Sequence, residues 1–168
     1  MSARPHLVAL PGLGQPQPHV MFCGHCGLLI EDRPDRPDRP GPASRVCADC
    51  NLGLLISAPR NVAPHANDPF LLVDGSLSIC GVSRLAEGLF RVRESDVVDR
   101  PVTELLMPAD AEIEGPESFV SLLLHAARGE GEVRDCVVRP TSEWGIRFWA
   151  RVGPCGPPRA ALLVLAEG

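Results

Sequence analysis

The sequence predicts an α+β fold: an antiparallel sheet with helices on one face, preceded by a small cysteine-rich module. Three observations predict it. Two short apolar runs meet at the Asp74-Gly75 pair, which is a strong hairpin signal. Strand-like segments, alternating or wholly apolar, return after Gly131. The N-terminal third instead holds two Cys-x-x-Cys pairs with twenty residues between them.

The Asp74-Gly75 hairpin leads directly into a helix. Apolar residues after it repeat at helical spacing: Val82, Leu85, Ala86 and Leu89. Ser83 stands where an N-cap residue belongs, because its hydroxyl can accept a hydrogen bond from the first turn. The segment 70–90 is therefore predicted to run strand, tight turn, strand, helix.

The C-terminal half is predicted to supply one helix and three strands. The helix spans 116–129, with Pro116 in its first turn and Gly129 as a stop. Strands are predicted at 132–139, 144–152 and 160–166, and loops at 107–115 and 153–158. The last strand is apolar throughout, so we expect it to be buried on both faces.

The 144–152 strand has two distinct faces. One face carries an apolar set: Ile146, Phe148, Ala150 and Val152. The other face places Trp149 between Arg147 and Arg151, a composition found at protein interfaces. The last strand adds either Leu163 and Leu165 or Leu162 and Val164 to this face. Cover comes either from Leu52–Ile56 and the linker or from a partner or second copy, and both arrangements bury Trp149.

The stretch from Pro69 to Leu106 resembles the start of a PAS sensor domain. The matching residues are Val73-Asp74, Ile79, Ala86-Glu87, Leu89-Phe90, Val97–Val102 and Glu104–Leu106. The resemblance covers residues 66–167 and implies a five-stranded antiparallel sheet with its last strand in the middle and helices on one face. Ser83, Arg91 and Asp99 depart from the family pattern, which has Asn, Gly and Gly at these positions.

The chain divides into four predicted parts. A flexible Pro-rich tail covers 1–20, a cysteine module 21–57, a linker 58–67 and the PAS-like domain 68–168. Inside the module, Asp-Arg-Pro repeats three times between residues 32 and 40. This repeat has no apolar residue, so we expect an exposed extended spacer rather than a docking peptide.

The two Cys-x-x-Cys pairs have the spacing of a zinc site. Cys23 and Cys26 form one pair, and Cys47 and Cys50 form the other. Each pair can hold one metal ion from a tight knuckle, and two knuckles complete a tetrahedral Zn²⁺ site. Four protein ligands leave no open position, so the predicted site is structural. An alternative is a redox switch, in which oxidised thiolates release the metal.

The other candidate groups receive plainer interpretations. Cys80, Cys136 and Cys155 are expected to be buried and inert. His125 lies on the helix where haem-binding PAS sensors carry their iron ligand, but it belongs to a polar stripe with Ser118, Ser121 and Arg128. The cysteine motif of flavin photosensors is missing. We therefore expect neither haem nor flavin, and an unidentified small-molecule ligand stays an open alternative.

Composition and charge restrict the function. The net charge is −5, and residues 66–168 carry ten Arg against sixteen acidic residues, which disfavours nucleic-acid binding. No apolar run approaches the ~20 residues of a transmembrane helix. Seven cysteines, an odd number with two Cys-x-x-Cys pairs, suit a reducing cytoplasm. No catalytic triad, carboxylate pair or phosphate loop predicts an enzyme.

The favoured interpretation is a non-enzymatic cytoplasmic sensing or regulatory protein. Its PAS-like domain would mediate signal-dependent protein contacts, with transcription as one process it regulates. One alternative is a transcription regulator that touches DNA through the zinc module, which a salt-dependent shift on generic DNA would favour. Another is a haem- or flavin-bound sensor, which colour in the purified protein would reveal.

Overall fold

The computed structural model of the protein describes residues 17–30, 45–109, 118–143 and 145–167. The Asp-Arg-Pro repeat and most of the predicted tail lie outside the described residues. So do residues 110–117, which include part of the predicted loop and the predicted start of the helix at Pro116, and Trp144, where a strand was predicted to begin. Within the described ranges, no helix is long and apolar enough to cross a membrane.

The N-terminal strands form a small antiparallel sheet around the cysteine pairs. Its strands are β1 (His19–Cys23), β2 (Leu29–Ile30) and β3 (Leu55–Pro59), in the order β2-β1-β3. β1 begins inside the segment predicted as tail. We call the described residues 17–30 and 45–59 the metal module.

The rest of the chain builds a six-stranded antiparallel sheet with the order β5-β4-β9-β8-β7-β6. Its strands are β4 (Phe70–Val73), β5 (Ile79–Val82), β6 (Leu106–Pro108), β7 (Arg134–Pro140), β8 (Phe148–Cys155) and β9 (Ala160–Glu167). Three α-helices and a 3-10 helix connect them: α1 (Arg84–Phe90), α2 (Glu94–Val97), the 3-10 turn Val102–Glu104 and α3 (Phe119–Ala127).

The prediction of five strands is wrong by one strand. β6 pairs with β7 through Leu106↔Pro140 and Pro108↔Val138, in a region predicted as loop. Pro108 fits in β6 because β6 is an edge strand, where a missing N–H breaks no ladder bond. The predicted central position of the last strand is confirmed, since β9 lies between β4 and β8.

The hairpin between β4 and β5 is longer than the Asp-Gly signal predicts. Five residues, 74–78, separate the strands, and Leu77 rather than Gly75 takes the positive φ, at 65°. Asp74 organises the loop because its Oδ1 accepts hydrogen bonds from the backbone N–H of Ser76 at 2.8 Å and of Ser78 at 3.0 Å. The predicted order of strand, turn, strand and helix is confirmed.

Helix α1 begins as predicted but buries a narrower face. The Oγ of Ser83 accepts from Ala86 N at 3.2 Å, which confirms the N-cap, and also from Phe70 N at 2.9 Å. Of the helical residues, Ala86 is buried, whereas Leu85 and Leu89 are exposed. The predicted apolar stripe is therefore wrong at those two positions, because α1 packs on the sheet through its small residue.

One core lies between the helices and the face of the large sheet that we call the inner face. It contains side chains from both sides: Ala86, Phe119, Leu123, Phe148, Ala150, Val152, Leu163 and Leu165. The predicted inner position of Ile146 is wrong, since Ile146 precedes β8 and is exposed. Its strand begins two residues later and continues to Cys155, into the segment predicted as a turn.

The opposite, outer face of the large sheet is covered in part by the metal module. A second core joins the two: Phe22, Ile56, Ala58, Val62, Phe70, Leu72, Cys155, Ala160, Leu162 and Val164. β9 is thus buried on both faces up to Leu165, as its composition predicts. Leu162 and Val164, not Leu163 and Leu165, belong to the outer face.

Candidate metal centre

The structure brings the four predicted cysteines together. Cys23 ends β1, Cys26 follows in the same turn, and Cys47 and Cys50 lie in the turn before β3. The four sulfur atoms all lie within 4.8 Å of one another. Cys23 Sγ and Cys50 Sγ are 3.6 Å apart. Zn–S bonds of about 2.3 Å in a tetrahedron place sulfurs about 3.8 Å apart, so the donor set fits one such ion.

Backbone N–H groups point at the sulfurs from both knuckles. His25 N and Cys26 N each donate to Cys23 Sγ at 3.4 Å, and Gly53 N donates to Cys50 Sγ at 3.4 Å. Such donors stabilise a thiolate and orient it without adding a competing ligand. In the first knuckle these donors point at the first cysteine of the pair, and in the second knuckle the donor points at the second cysteine.

The thiols of Cys23 and Cys50 lie in different electrostatic environments. Burial raises the pKa of Cys23 to about 12. Backbone N–H groups of Gly53 and Leu52 lower the pKa of Cys50 to about 6. A buried thiolate at Cys23 therefore needs a cation beside it, since burial penalises the charged form. The lowered pKa of Cys50 favours the thiolate, which is the form that binds a metal ion.

Gly53 is a site residue that the sequence analysis missed. A Cβ built at Gly53 would lie 2.3 Å from Cys23 Sγ and 2.7 Å from His25 Cβ. No side chain fits there, so the second knuckle can approach the first only with glycine at this position. A glycine three residues after the last Cys of a pair was the available signal, since such a glycine leaves a free N–H for the sulfur.

The three remaining cysteines lie apart from this cluster. Cys155 is buried, and its thiol donates to Ala160 O at 3.4 Å. Cys136 is half-buried against the inner core. Cys80 is exposed, so the prediction that it is buried is wrong. It lies on β5, an edge strand of the sheet, where one face meets solvent.

His125 lies on α3 with an exposed side chain that borders a cavity of about 310 Å³. Leu122, Ala126 and Val152 line its apolar side. Charged residues of the following loop and β7, among them Glu130 and Arg134, line the rest. The inner core instead receives Phe119 and Leu123 from the opposite side of α3.

Trp149 stands on the part of the outer face that the metal module leaves open. It is 56% exposed and pairs across the strands with Val137 and Ala166. Met107 of β6 is 37% exposed nearby on the same side of the sheet. Cover by the module thus reaches Leu162 and Val164 but stops short of Trp149, which contradicts cover in cis as a means of burying this side chain.

An ion pair marks the boundary between the covered and open parts of the outer face. Arg151 Nη2 donates to Asp68 Oδ2 at 3.0 Å, and both side chains are partly buried. The pair joins β8 to the segment before β4. Arg151 and Trp149 lie two residues apart on the same face of β8, so the ion pair fixes the strand beside the exposed ring.

No protein-family model and no curated protein matches the sequence significantly. Four chains of solved structures do match. One is the PAS domain of an HTR-like protein from Haloarcula marismortui, with 17% identity, a TM-score of 0.46, and coverage of 62% of this chain and 84% of that one. Another is the PAS domain of nitrogen regulation protein NR(II) from Vibrio parahaemolyticus, with 17% identity, a TM-score of 0.45, and coverage of 66% and 97%. The described part of residues 69–167 has the antiparallel sheet with a central last strand that the sequence resemblance implies.

Proposed function

We propose that the four cysteines hold one structural Zn²⁺ ion. The support is the donor set: four thiols whose sulfur atoms lie within 4.8 Å of one another, with N–H donors aimed at two of them. Cys23, Cys26, Cys47 and Cys50 would each supply one sulfur. Soft thiolate ligands in a tetrahedral set favour Zn²⁺ over the hard cations that prefer oxygen.

We further propose that the protein is a sensing or regulatory protein that works in the cytoplasm by binding rather than by catalysis. The observation that carries this proposal is Trp149, which stands exposed on an open sheet face beside Val137, Ala166 and Met107. A large aromatic ring flanked by arginine and by apolar side chains is typical of a binding hot spot. The proposed role is therefore a protein contact made through this face, with regulation of transcription as one outcome.

Replacing the exposed ring tests this proposal. We expect Trp149→Glu to leave zinc content and the unfolding midpoint close to those of the parent, because the ring is exposed. Association with a second copy or with a protein partner should be lost, since a charge cannot be buried unpaired at the centre of an interface. Light scattering during gel filtration and co-purification with a partner would measure this.

The matched control is Leu85→Glu, which places the same charge on an exposed apolar residue of α1. It should leave the association intact. A Trp149→Glu protein with the same oligomeric state and the same partners as its parent would show that this face is not an interface.

A further inference from the structure

The metal module and the large sheet share one apolar core. Phe22 of β1 and Phe70 of β4 pack edge to face, with ring centroids 5.6 Å apart. Phe22 and Val62 are fully buried, as is Leu162 beneath them on β9. Without the module, the apolar side chains of β4 and β9 on this face would be open to water.

The first cysteine knuckle itself rests on the sheet. His25 O accepts a hydrogen bond from Arg84 N, the first residue of α1, at 2.9 Å. A Cβ at Gly27 would meet Phe70 Cε1 at 3.3 Å, and one at Gly24 would meet Leu72 Cδ1 at 3.7 Å. The backbone that carries two metal ligands therefore touches both the sheet and the start of the helix.

The last strand of the module is also fastened to the large sheet. Ser57 N donates to Gly156 O, and Gly156 N donates to Ser57 O, both at 2.9 Å. These two bonds tie β3 to the turn between β8 and β9. Together with the knuckle contact, they hold the module at opposite ends of the shared core.

We propose that metal binding by the module and the stability of the large sheet are thermodynamically coupled, so that loss of the metal releases the module and uncovers the outer face of the sheet. This inference rests on the proposed zinc site. The module has three short strands, and its buried apolar side chains other than cysteine and proline are Phe22, Ile56 and Ala58, which all belong to the core shared with the sheet. With no separate core of its own, the module relies on the metal to hold its two knuckles together. Once the knuckles separate, Phe22 and Ile56 lose the framework that keeps them on β4 and β9.

The consequence is a metal-dependent cover over an apolar surface. In the folded structure, Phe70, Leu72, Leu162 and Val164 are buried. Without the metal, these four side chains would form an apolar patch that continues to Trp149. Val164 and Ala166 share the outer face of β9, and Ala166 pairs with Trp149. Metal occupancy would thus control how much apolar surface of the sheet meets solvent.

Linkage gives this proposal a quantitative test. If global unfolding of the sheet releases one metal ion, each tenfold rise in free Zn²⁺ above the dissociation constant raises the protection of the sheet's amides about tenfold. If the sheet unfolds without disturbing the metal module, the protection of its amides does not change with the zinc concentration. The two cases differ in the slope of the logarithm of amide protection against the logarithm of free Zn²⁺, which is about one in the first case and zero in the second.

The experiment is amide hydrogen exchange of the parent chain, with free Zn²⁺ set by metal buffers and bound zinc measured in each sample. We expect peptides from β9 and β4 to gain protection with zinc in parallel with those from β1 and β3. An apolar dye should bind the metal-free protein and be released on adding zinc. Cys136→Ser, which lacks a thiol outside the site, should respond as the parent does, and Cys47→Ser should not respond.

Zinc-dependent protection confined to β1 and β3, with β9 unchanged, would overturn the inference while leaving the zinc site intact. A parent chain that binds no zinc at all would overturn the zinc site and this inference together. Because the parent needs no substitution, the result does not depend on whether a variant folds.

Discussion

At the scale of single residues, the close approach of the two cysteine knuckles restricts which residue can occupy position 53. Gly53 lies so near Cys23 that any side chain would collide with the sulfur, and its N–H is committed to Cys50. The residue binds no metal itself. It acts by letting two knuckles meet and by orienting one thiolate.

Gly53→Ala should therefore weaken metal binding by roughly 10- to 100-fold, as losses of groups that orient metal ligands do. Gly75→Ala is the matched control, because a Cβ at Gly75 meets nothing within 4 Å. Competition with a colorimetric chelator would measure both affinities. Equal affinity in the two variants would show that the knuckles do not need the close approach.

At the scale of elements, two helix and turn ends adopt a conformation that ordinary residues avoid. Arg91, the C-cap of α1, has φ 55° and ψ 40°, and Asp99 has φ 68°. Both stand where the PAS pattern has glycine. The sequence comparison could thus locate the two left-handed positions, although it could not show that the chain keeps the conformation without glycine.

Arg91→Gly should stabilise the protein by roughly 0.5 to 1 kcal/mol, because relief of the left-handed penalty of about 1 to 2 kcal/mol exceeds the chain entropy that glycine costs, about 0.5 to 1 kcal/mol. Arg128→Gly is the matched control at the C-cap of α3, where φ is −80°. That variant should destabilise by about 0.5 to 1 kcal/mol through chain entropy alone. Urea unfolding midpoints report both, and a lower midpoint for Arg91→Gly would refute the strain.

The β4–β5 loop gives a pH dependence with a defined sign. Burial raises the pKa of Asp74, but hydrogen bonds from Ser76 and Ser78 outweigh it and hold the pKa below its usual value. A lowered pKa in the folded state adds stability that is complete above the unfolded pKa. This stability disappears as the pH falls through the folded pKa.

Asp74→Asn keeps an accepting oxygen but loses the charge. The variant should be less stable than the parent at pH 7, and the gap between their urea midpoints should narrow as the pH falls below about 4. Comparing the two proteins removes effects common to both, such as acid release of metal. A gap that stays constant with pH would mean that the charge at Asp74 contributes nothing.

At the scale of the whole molecule, local patterns predicted the elements but not their assembly. Period and capping signals gave α1, α3 and β9, because those signals are local. Leu106–Pro108 was missed as a strand because only pairing with β7 makes it one. The packing of Ile56 and Val62 on the sheet agrees with the predicted cover by Leu52–Ile56 and the linker. The packing of Phe22 was not predicted, since a single apolar residue in a short segment carries no periodic signal.

The assembled molecule joins a cysteine cluster and a PAS-like sheet through a shared core. Under the proposed coupling, the cover of the outer face depends on the metal ion. The spacing of the cysteine pairs predicted the four ligands, and the fold brings their sulfur atoms within reach of one ion. What the ligands hold is a matter for direct measurement.

Native mass spectrometry of the purified chain, compared with its denatured mass, tests directly whether the four cysteines hold one Zn²⁺ ion. We predict the mass of one Zn²⁺ ion on the native parent chain, none on Cys47→Ser, and the parent's value on Cys136→Ser. A metal-free parent, or stoichiometric zinc on a chain carrying both Cys23→Ser and Cys47→Ser, would contradict it.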